Sequence, residues 1–435
     1  MLSGRVYVRR VLGGMRLKRE LDDVLRSQQL ERAGMERLQL VRLKQVVRHA
    51  ALHVPYYRDS FAAAGFCPDQ LVALEDMQRI PILTKQCVRG AGQTLLAKTA
   101  FGPRFSGVTS GTTGEPMTVW RDVRSINREN AFVWRQFMWA GASLGDRRIW
   151  LRGDNVVPAS VKKPPFWRYC AADSTLMMSS CHLSEATAEQ YIRAMEEFDP
   201  VFGLAYPSPL VMLARYMLGV GLRYRGRSLR GFVTSSETVS AEQRRIVTEA
   251  FGCPVFDWYG SSERVTAIGT CEHGRYHILS DYGFTELKPQ GDGTYSVVGT
   301  AFDNALMPWI RYELGDAVVP ADSSYACPCG RAFPVVDQIV GRVEDYVLAV
   351  DGRRVFMMSN TIDAIPNLLE GQVRQDSPNE VRILLVPVPG KSINEAQAAG
   401  LARQQLGNEM RVKVEIVQAI PRSGSGKHRT VIRTI

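Results

Sequence analysis

The chain has 435 residues, of which 45% are hydrophobic and 23% are charged, and its formal net charge is +10. This length predicts two or three domains, and the composition excludes an intrinsically disordered or collagen-like chain. The sequence predicts neither a membrane-spanning helix, which needs about 18 apolar residues, nor a secretory leader. Eight dispersed cysteines favour reduced thiols or a metal site over disulfides. A cytoplasmic protein is therefore expected.

Residues 1–65 are predicted to form a basic, helix-rich start. Residues 1–50 contain twelve Lys or Arg and five Asp or Glu, an excess of seven positive charges. Apolar Leu40, Leu43, Val47 and Ala50 recur on one helical face, and Pro55 is expected to end this run. A solvated helix face explains the charge, and peripheral contact with a membrane or an acidic carrier protein is the alternative. No nucleic-acid-binding motif accompanies it, so nucleic acid is not an expected partner.

A loop of small residues, TSGTTGEP at positions 109–116, follows between two short β-rich segments. Its glycines would let the backbone approach a polyphosphate, and its N–H groups and hydroxyls would donate hydrogen bonds to phosphate oxygens. The loop lacks the lysine of common NTPase phosphate loops. A plain hairpin turn is the alternative explanation.

Helix and strand patterns then alternate through SPLVMLARYML, RGFVTSS, AEQRRIVTEAFG and PVFDWYG. Such alternation predicts a mainly parallel sheet covered by helices, with ligands at the carboxyl ends of the strands. A shorter unit follows, in which the strands NEVRILLVPV and VKVEIVQAI flank the helical AQAAGLARQQLG. The pattern therefore predicts a second, small domain, with its boundary in residues 340–345.

Seven segments occur in an order that is far more specific than any one of them. They are VRHAALHVPYYRDSF, SGTTGEP, TSSE, DWYGSSE, RYELGD, GRVED and PRSGSGKHRT. On these segments the chain resembles the adenylate-forming superfamily, specifically the phenylacetate-CoA ligase family and its relatives associated with capsular polysaccharide synthesis. The resemblance implies an α/β fold with a large N-terminal AMP-binding domain, residues 1–341, and a small, mobile α+β C-terminal lid, residues 342–435.

The resemblance also implies a nucleotide site. Tyr259 would pack against adenine, Asp257 would accept a hydrogen bond from its amino group, and Asp316 would bind both ribose hydroxyls. Arg342 would contact ribose or phosphate, and Glu263 would help to hold Mg²⁺. Further nucleotide contacts are expected at Ser110, Gly111, Thr112, Thr113, Gly114, Ser236, Glu237, Trp258, Gly260 and Ser262. Taken singly, a tyrosine in a strand is usually a core residue and a Gly-Asp pair is often a turn.

The final motif contains Lys427, the position of the family's catalytic lysine. Its ammonium would lie between the substrate carboxylate and the α-phosphate, and Glu344 or Asp345 would be the hinge of the lid. Lining of an aromatic-acid pocket is expected from four residues, although aromatic side chains at helical spacing are more often core. They are Phe132, Trp134, Tyr206 and Pro207.

Four soft ligands, Cys271, His277, Cys327 and Cys329, are enough for a tetrahedral structural zinc, and similar positions occur in phenylacetate-CoA ligase relatives. His273 is an alternative to His277, and the Cys-x-Cys spacing is tighter than usual. The other cysteines are predicted to be small core residues. They are Cys67, Cys87, Cys170, Cys181 and Cys253.

Together these assignments imply an acid–thiol ligase that uses ATP and Mg²⁺ to convert a small carboxylic acid, expected to be aromatic, into an acyl-adenylate. The acyl group would then pass to coenzyme A or to the phosphopantetheine of a carrier protein. One alternative is an adenylate-forming transferase or synthase with an amine or hydroxyl acceptor in polysaccharide or secondary-metabolite biosynthesis. Another is a basic, non-catalytic scaffold at a membrane. A homodimer is expected.

Overall fold

The structure, a computed structural model, describes residues 17–99, 102–108, 117–158, 160–342, 346–356, 358–421 and 429–435. It divides into two compact units. The first contains Ala140–Asp257 and Val340–Ile435, and the second contains residues 17–139 and Trp258–Ile339. No helix in the described ranges combines the length and apolar character needed to cross a membrane.

The helices alternate with strands over much of the chain. In chain order, the helices are α1 (residues 17–27), α2 (Arg32–His53), α3 (Pro55–Ala63), α4 (Lys85–Ala91), α5 (Val123–Trp139), α6 (Glu185–Phe198), α7 (Pro207–Val220), α8 (Ala241–Phe251), α9 (Met358–Asp363) and α10 (Glu395–Leu406). The strands are β1 (Phe105–Val108), β2 (Thr118–Arg121), β3 (Arg148–Arg152), β4 (Trp167–Cys170), β5 (Thr175–Ser179), β6 (Phe202–Ala205), β7 (Gly231–Ser235), β8 (Val255–Gly260), β9 (Ala267–Thr270), β10 (Tyr276–Ile278), β11 (Gly283–Pro289), β12 (Tyr295–Ala301), β13 (Tyr312–Pro320), β14 (Val335–Arg342), β15 (Tyr346–Leu348), β16 (Arg354–Phe356), β17 (Leu368–Ser377), β18 (Glu380–Pro387), β19 (Arg411–Ile416) and β20 (Val431–Arg433).

A parallel sheet lies at the centre of the first unit. Strand β3 pairs in parallel with β5 and β6, β6 pairs in parallel with β7, and β4 is an antiparallel edge strand on β5. Ile149 and Leu151 of β3 are buried in the core, whereas Trp150 and Arg152, on the opposite face, are half-buried. The predicted helix–strand alternation is confirmed here, and the carboxyl ends of β3, β5, β6 and β7 meet at one edge.

Local sequence signals set the ends of the helices beside this sheet. The Ser240 hydroxyl accepts a hydrogen bond from the Gln243 N–H at 3.1 Å and begins α8, which ends at Gly252 with a φ of 70°. Pro207 occupies the first turn of α7, where its missing N–H costs nothing, and Gly221 ends that helix with a φ of 72°. Both predicted helices are confirmed.

The strands of the second unit are antiparallel. The pairs β8–β9, β9–β10, β10–β14, β11–β12 and β12–β13 all run in opposite directions. Short connections such as residues 271–275 permit antiparallel pairing, whereas parallel strands need a crossover of a dozen residues or more. The predicted mainly parallel arrangement therefore holds for the first unit but does not extend to this one.

The basic start packs into the second unit. Leu43, Val47 and Ala50 of α2 are fully buried in a core that also contains Trp309, as the predicted apolar face requires. Pro55 ends α2 and also occupies the first turn of α3, so the helical region continues beyond it.

The core prediction for Cys67 and Cys181 is wrong, because both are exposed, whereas Cys170 and Cys253 are buried.

The C-terminal residues form the predicted α+β arrangement. A four-stranded sheet in the order β19-β18-β17-β20 packs with α9 and α10 around a core of its own. Within the first unit, Leu369, Val388 and Ile420 also join the core of the parallel sheet. The segments around the predicted hinge, 343–345, and the predicted lysine motif, 422–428, lie outside the described residues.

Candidate functional site

Two motifs predicted to bind one nucleotide contact each other directly. The Tyr259 hydroxyl donates a hydrogen bond of 2.5 Å to Asp316 Oδ2, across 57 positions of sequence. Tyr259 lies near the end of β8 and Asp316 lies in β13, and both are half-buried. The phenol fixes one oxygen of a carboxylate, a group that accepts hydrogen bonds from hydroxyl groups.

Asp257 and Trp258, which precede Tyr259 in β8, are more deeply buried. Asp257 is 4% exposed, and its Oδ1 accepts a hydrogen bond of 2.8 Å from the Thr234 hydroxyl at the end of β7. Trp258 is 8% exposed and meets the Tyr282 ring edge-on, with the centroids 6.2 Å apart. Their assignment to the nucleotide stays a prediction.

Glu263 lies in the loop that follows β8 and is 8% exposed. The same loop is held by Arg121 of β2, whose Nη2 donates to the Ser262 carbonyl at 2.5 Å. Arg121 was missed by the sequence analysis, since nothing local marks a strand arginine as a partner of a loop 141 positions away. Carboxylate oxygen is the ligand type that Mg²⁺ prefers, so Glu263 fits the predicted role. Gly260 is the last residue of β8, and Ser262 lies beside Glu263 in the turn that follows.

A second group of polar residues lies at the carboxyl ends of the parallel strands in the first unit. Glu237 accepts hydrogen bonds from the Ser208 N–H at 2.9 Å and the Ser208 hydroxyl at 3.1 Å. Ser236 has a φ of 72°, which is uncommon for a residue with a side chain, and its hydroxyl accepts from Arg152 Nη2 at 2.9 Å. Arg152 was not predicted from the sequence, yet it connects the TSSE segment to Tyr206.

Tyr206 and Pro207, predicted to line the acid pocket, lie where β6 leads into α7. Burial raises the pKa of Tyr206, and the nearby Arg152 guanidinium opposes this effect while the carboxylates of Asp154 and Glu237 add to it. Phe132, by contrast, is 1% exposed and packs against Tyr282 at 4.9 Å. Trp134 meets Phe137 edge-on at 5.4 Å. Their role in an acid pocket stays a prediction.

Several predicted site residues cannot be placed. Ser110, Gly111, Thr112, Thr113 and Gly114 lie outside the described residues, and so do Glu344, Asp345 and Lys427. The backbone of Arg342 forms the end of β14.

The structure brings the four predicted metal ligands together. The ligand atoms of Cys271, His277, Cys327 and Cys329 all lie within 4.8 Å of one another. The Sγ atoms of Cys271 and Cys327 are 3.7 Å apart, and Cys329 Sγ is 3.4 Å from His277 Nε2. A tetrahedron with Zn–S bonds of about 2.3 Å has edges of about 3.8 Å, so this spacing suits zinc.

The surroundings of His277 suit a metal ligand as well. Its Nδ1 lies 3.1 Å from the Phe333 carbonyl oxygen. A proton on Nδ1 would be donated to this carbonyl, and the unprotonated Nε2 would then bind a metal. Burial lowers the pKa of His277 and so favours the neutral imidazole. His273, the alternative ligand, is exposed in the turn between β9 and β10 and is not part of the cluster.

Comparison with known proteins finds similarity to CapK and to phenylacetate-coenzyme A ligases. Residues 348–434 match the family model "CapK C-terminal domain". The chain is 24% identical to protein CapK of Staphylococcus aureus over 374 residues, which cover 84% of this chain and 82% of CapK. It is 27% identical to the phenylacetate-coenzyme A ligase of Thermus thermophilus over 354 residues, 78% of each chain.

The fold is that of the adenylate-forming CoA ligases. The crystal structure of 2-hydroxyisobutyryl-CoA ligase in the postadenylation state, in complex with R3-HIB-AMP, is similar with a TM-score of 0.70 and 20% identity, and the match covers 94% of this chain and 91% of that one. Homologues of the chain include phenylacetate-CoA ligases and CapK, which confirms the resemblance carried by the seven motifs.

Proposed function

We propose that this protein is an AMP-forming acid–thiol ligase that activates a small carboxylic acid with ATP and transfers the acyl group to coenzyme A. The observation that carries the proposal is the contact between Tyr259 and Asp316, since it joins two motifs to which the resemblance assigns a single nucleotide. Homology to phenylacetate-CoA ligases supports the same reaction.

In the first half-reaction, a carboxylate oxygen of the acid attacks the α-phosphorus of ATP, and the bond to the pyrophosphate oxygen breaks as pyrophosphate leaves with the electron pair. Asp316 would hold the ribose and Tyr259 the adenine, so that the reacting atoms stay aligned. The backbone of residues 110–114 would bind phosphate oxygens. Glu263 would hold Mg²⁺, which when bound neutralises phosphate charge.

Lys427 would supply the positive charge between the two negative reactants. In the second half-reaction, the thiol sulfur attacks the acyl carbon, the thiol proton passes to solvent and AMP leaves. The C-terminal residues, from about 342, would rotate about Glu344 or Asp345 between the two steps and withdraw Lys427. Thioester formation therefore requires the same lysine to leave the site.

We also propose that Cys271, His277, Cys327 and Cys329 hold a structural zinc. All four are protein ligands, so a tetrahedral ion here would have no open position for substrate. Such a zinc would fix the turn after β9 and the Cys327-Pro-Cys329 turn to each other, with no part in the reaction.

A pyrophosphate-release screen tests the proposed function. Purified full-length protein with ATP and Mg²⁺ should release pyrophosphate in the presence of one class of carboxylic acid, and coenzyme A should convert the product into a thioester detectable by mass spectrometry. Aryl, alkyl and hydroxylated acids should be compared. Transfer of the acyl group to hydroxylamine or to sugars, but not to thiols, would contradict the proposed acceptor. If calorimetry detects no ATP binding, the proposal that this protein is an ATP-dependent ligase is wrong.

A further inference from the structure

Polar groups surround the Tyr206 ring, where an aromatic-acid pocket is expected. The guanidinium carbon of Arg152 lies 5.1 Å from the centroid of this ring. The backbone of Gly153 and the carboxylates of Asp154 and Glu237 lie near enough to the Tyr206 hydroxyl to affect its charge state. An apolar aryl or alkyl group at this place would contact charged groups and form no hydrogen bond with them.

Arg152 is held by three neighbours. Its guanidinium lies over the Trp150 ring at 5.3 Å as well as over Tyr206, and its Nη2 donates to the Ser236 hydroxyl at 2.9 Å. Trp150 and Arg152 are two positions apart in β3, so both extend from the same face of the sheet. A guanidinium fixed in this way loses little further side-chain freedom when a ligand binds.

Asp154 lies two residues beyond Arg152, just after the end of β3, and its carboxylate accepts a hydrogen bond from Trp150 Nε1. Asp154 is exposed and Arg152 is half-buried, so the pair is open to small molecules. Arg152 can only donate hydrogen bonds, and an ionised Asp154 can only accept them. A hydroxyl group both accepts and donates, and it therefore matches this pair better than a methyl or an aryl C–H does.

We propose that Arg152 and Asp154 recognise a hydroxyl group of the acid, so that the enzyme selects a hydroxylated carboxylic acid over an alkyl or aryl acid of similar size. This inference rests on the proposed adenylation activity and specifies its substrate class. Arg152 ends β3 and Ser236 follows β7. Both residues therefore lie at the carboxyl ends of parallel strands, the edge at which such sheets bind ligands. Ser236, which Arg152 contacts, belongs to a segment that the resemblance assigns to the nucleotide.

The first test compares acids that differ by one hydroxyl. Acid-dependent ATP/pyrophosphate exchange by the wild-type chain should be measured with butanoate and its 2-, 3- and 4-hydroxy derivatives, and with phenylacetate and mandelate. We expect kcat/KM for the preferred hydroxy acid to exceed that of its unsubstituted partner by about tenfold to a hundredfold, the effect of a hydrogen bond to a charged group. A wild-type preference for butanoate or phenylacetate would overturn the inference.

The second test uses Arg152→Met, Asp154→Ala and the conservative Arg152→Lys. We expect Arg152→Met and Asp154→Ala to reduce the hydroxyl preference about tenfold through the KM of the acid, with the KM of ATP unchanged and partial recovery in Arg152→Lys. Arg193→Met, an exposed arginine on α6, is the matched control and should keep the wild-type preference. An equal loss with every acid would instead indicate a purely structural Arg152.

The outcomes separate this inference from the function on which it rests. Exchange with aryl or alkyl acids alone would leave the proposed ligase standing and refute hydroxyl recognition. Absence of exchange with every acid would refute both. If Arg152→Met fails to fold, as judged by its thermal midpoint, the exposed Asp154→Ala variant provides the same comparison.

Discussion

At the scale of single residues, Asp316 shows how one side chain can be prepared for a ligand. Its Oδ2 accepts the hydrogen bond of Tyr259, so its position is fixed by a neighbour from another strand. We expect Asp316→Ala to raise the KM for ATP at least tenfold, because two hydrogen bonds to ribose would be lost, with a small effect on the KM of the acid. Steady-state kinetics with each substrate varied would measure this.

The matched control for this variant is Asp322→Ala, which removes an exposed carboxylate from the turn that follows the same strand. It should leave both KM values within about twofold of wild type, as is usual for surface substitutions. An unchanged KM for ATP in Asp316→Ala would remove this residue from the nucleotide site.

Lys427 gives a prediction that separates the two half-reactions. We expect Lys427→Ala to slow acid-dependent ATP/pyrophosphate exchange by about 10²- to 10³-fold, because one preorganised charge at the reacting phosphate is removed. Thioester formation from a supplied acyl-adenylate should remain within about tenfold of wild type. Lys391→Ala, on an exposed turn, is the control. Full exchange activity in Lys427→Ala would refute the role assigned to Lys427.

At the scale of elements, the cysteine–histidine cluster joins the turn after β9, strand β10 and the turn at residues 327–329. We expect metal analysis to find about one zinc per chain and the double variant Cys327→Ser/Cys329→Ser to lose it, with a lower thermal midpoint. Treatment of the wild-type protein with a chelator should also lower its thermal midpoint.

Cys67→Ser, which changes an exposed cysteine outside the cluster, should keep both the zinc and the thermal midpoint. Zinc binds thiolates, so acidification should release the metal as the cysteines become protonated. A wild-type protein that is purified free of metal and is as stable as the zinc-loaded form would end this proposal.

At the scale of the whole molecule, a buried ion pair joins helices that are far apart in sequence. Arg215 of α7 donates to Asp363 of α9 at 2.7 Å, and the Ser240 hydroxyl donates to the same carboxylate at 2.7 Å. The two charged side chains are 9% and 2% exposed. In this arrangement the pair holds the C-terminal residues against the helices beside the parallel sheet, and it would have to open when those residues rotate between the two half-reactions.

We expect Arg215→Met to lower the free energy of unfolding by about 3–5 kcal/mol, because Asp363 would remain as a buried, unpaired charge. The double variant Arg215→Met/Asp363→Leu should lose less, since both charges are then absent. Chemical denaturation of the three proteins would measure the difference. A loss below about 1 kcal/mol in Arg215→Met would show that the pair is solvated in solution.

Much of the architecture was predictable because it depends on short-range patterns. The helix pattern AEQRRIVTEAFG, which forms α8, and the apolar face of α2 can be read within a few residues, and the structure has both as predicted. The direction of the strands after β8 was not predictable in this way. A strand pattern does not specify its partner, and only the short connections in the folded chain allow the antiparallel order.

The sequence by itself determined the family resemblance, the order of the nucleotide motifs and the four candidate zinc ligands, because each is carried by residue types at fixed spacing. Only the tertiary structure decided that His277 rather than His273 completes the cysteine cluster and that Tyr259 donates to Asp316. It alone placed Arg152 over Tyr206 and beside Ser236. The physical reason is that these contacts join residues tens of positions apart, whose proximity depends on how the strands are ordered in the sheet and not on local sequence.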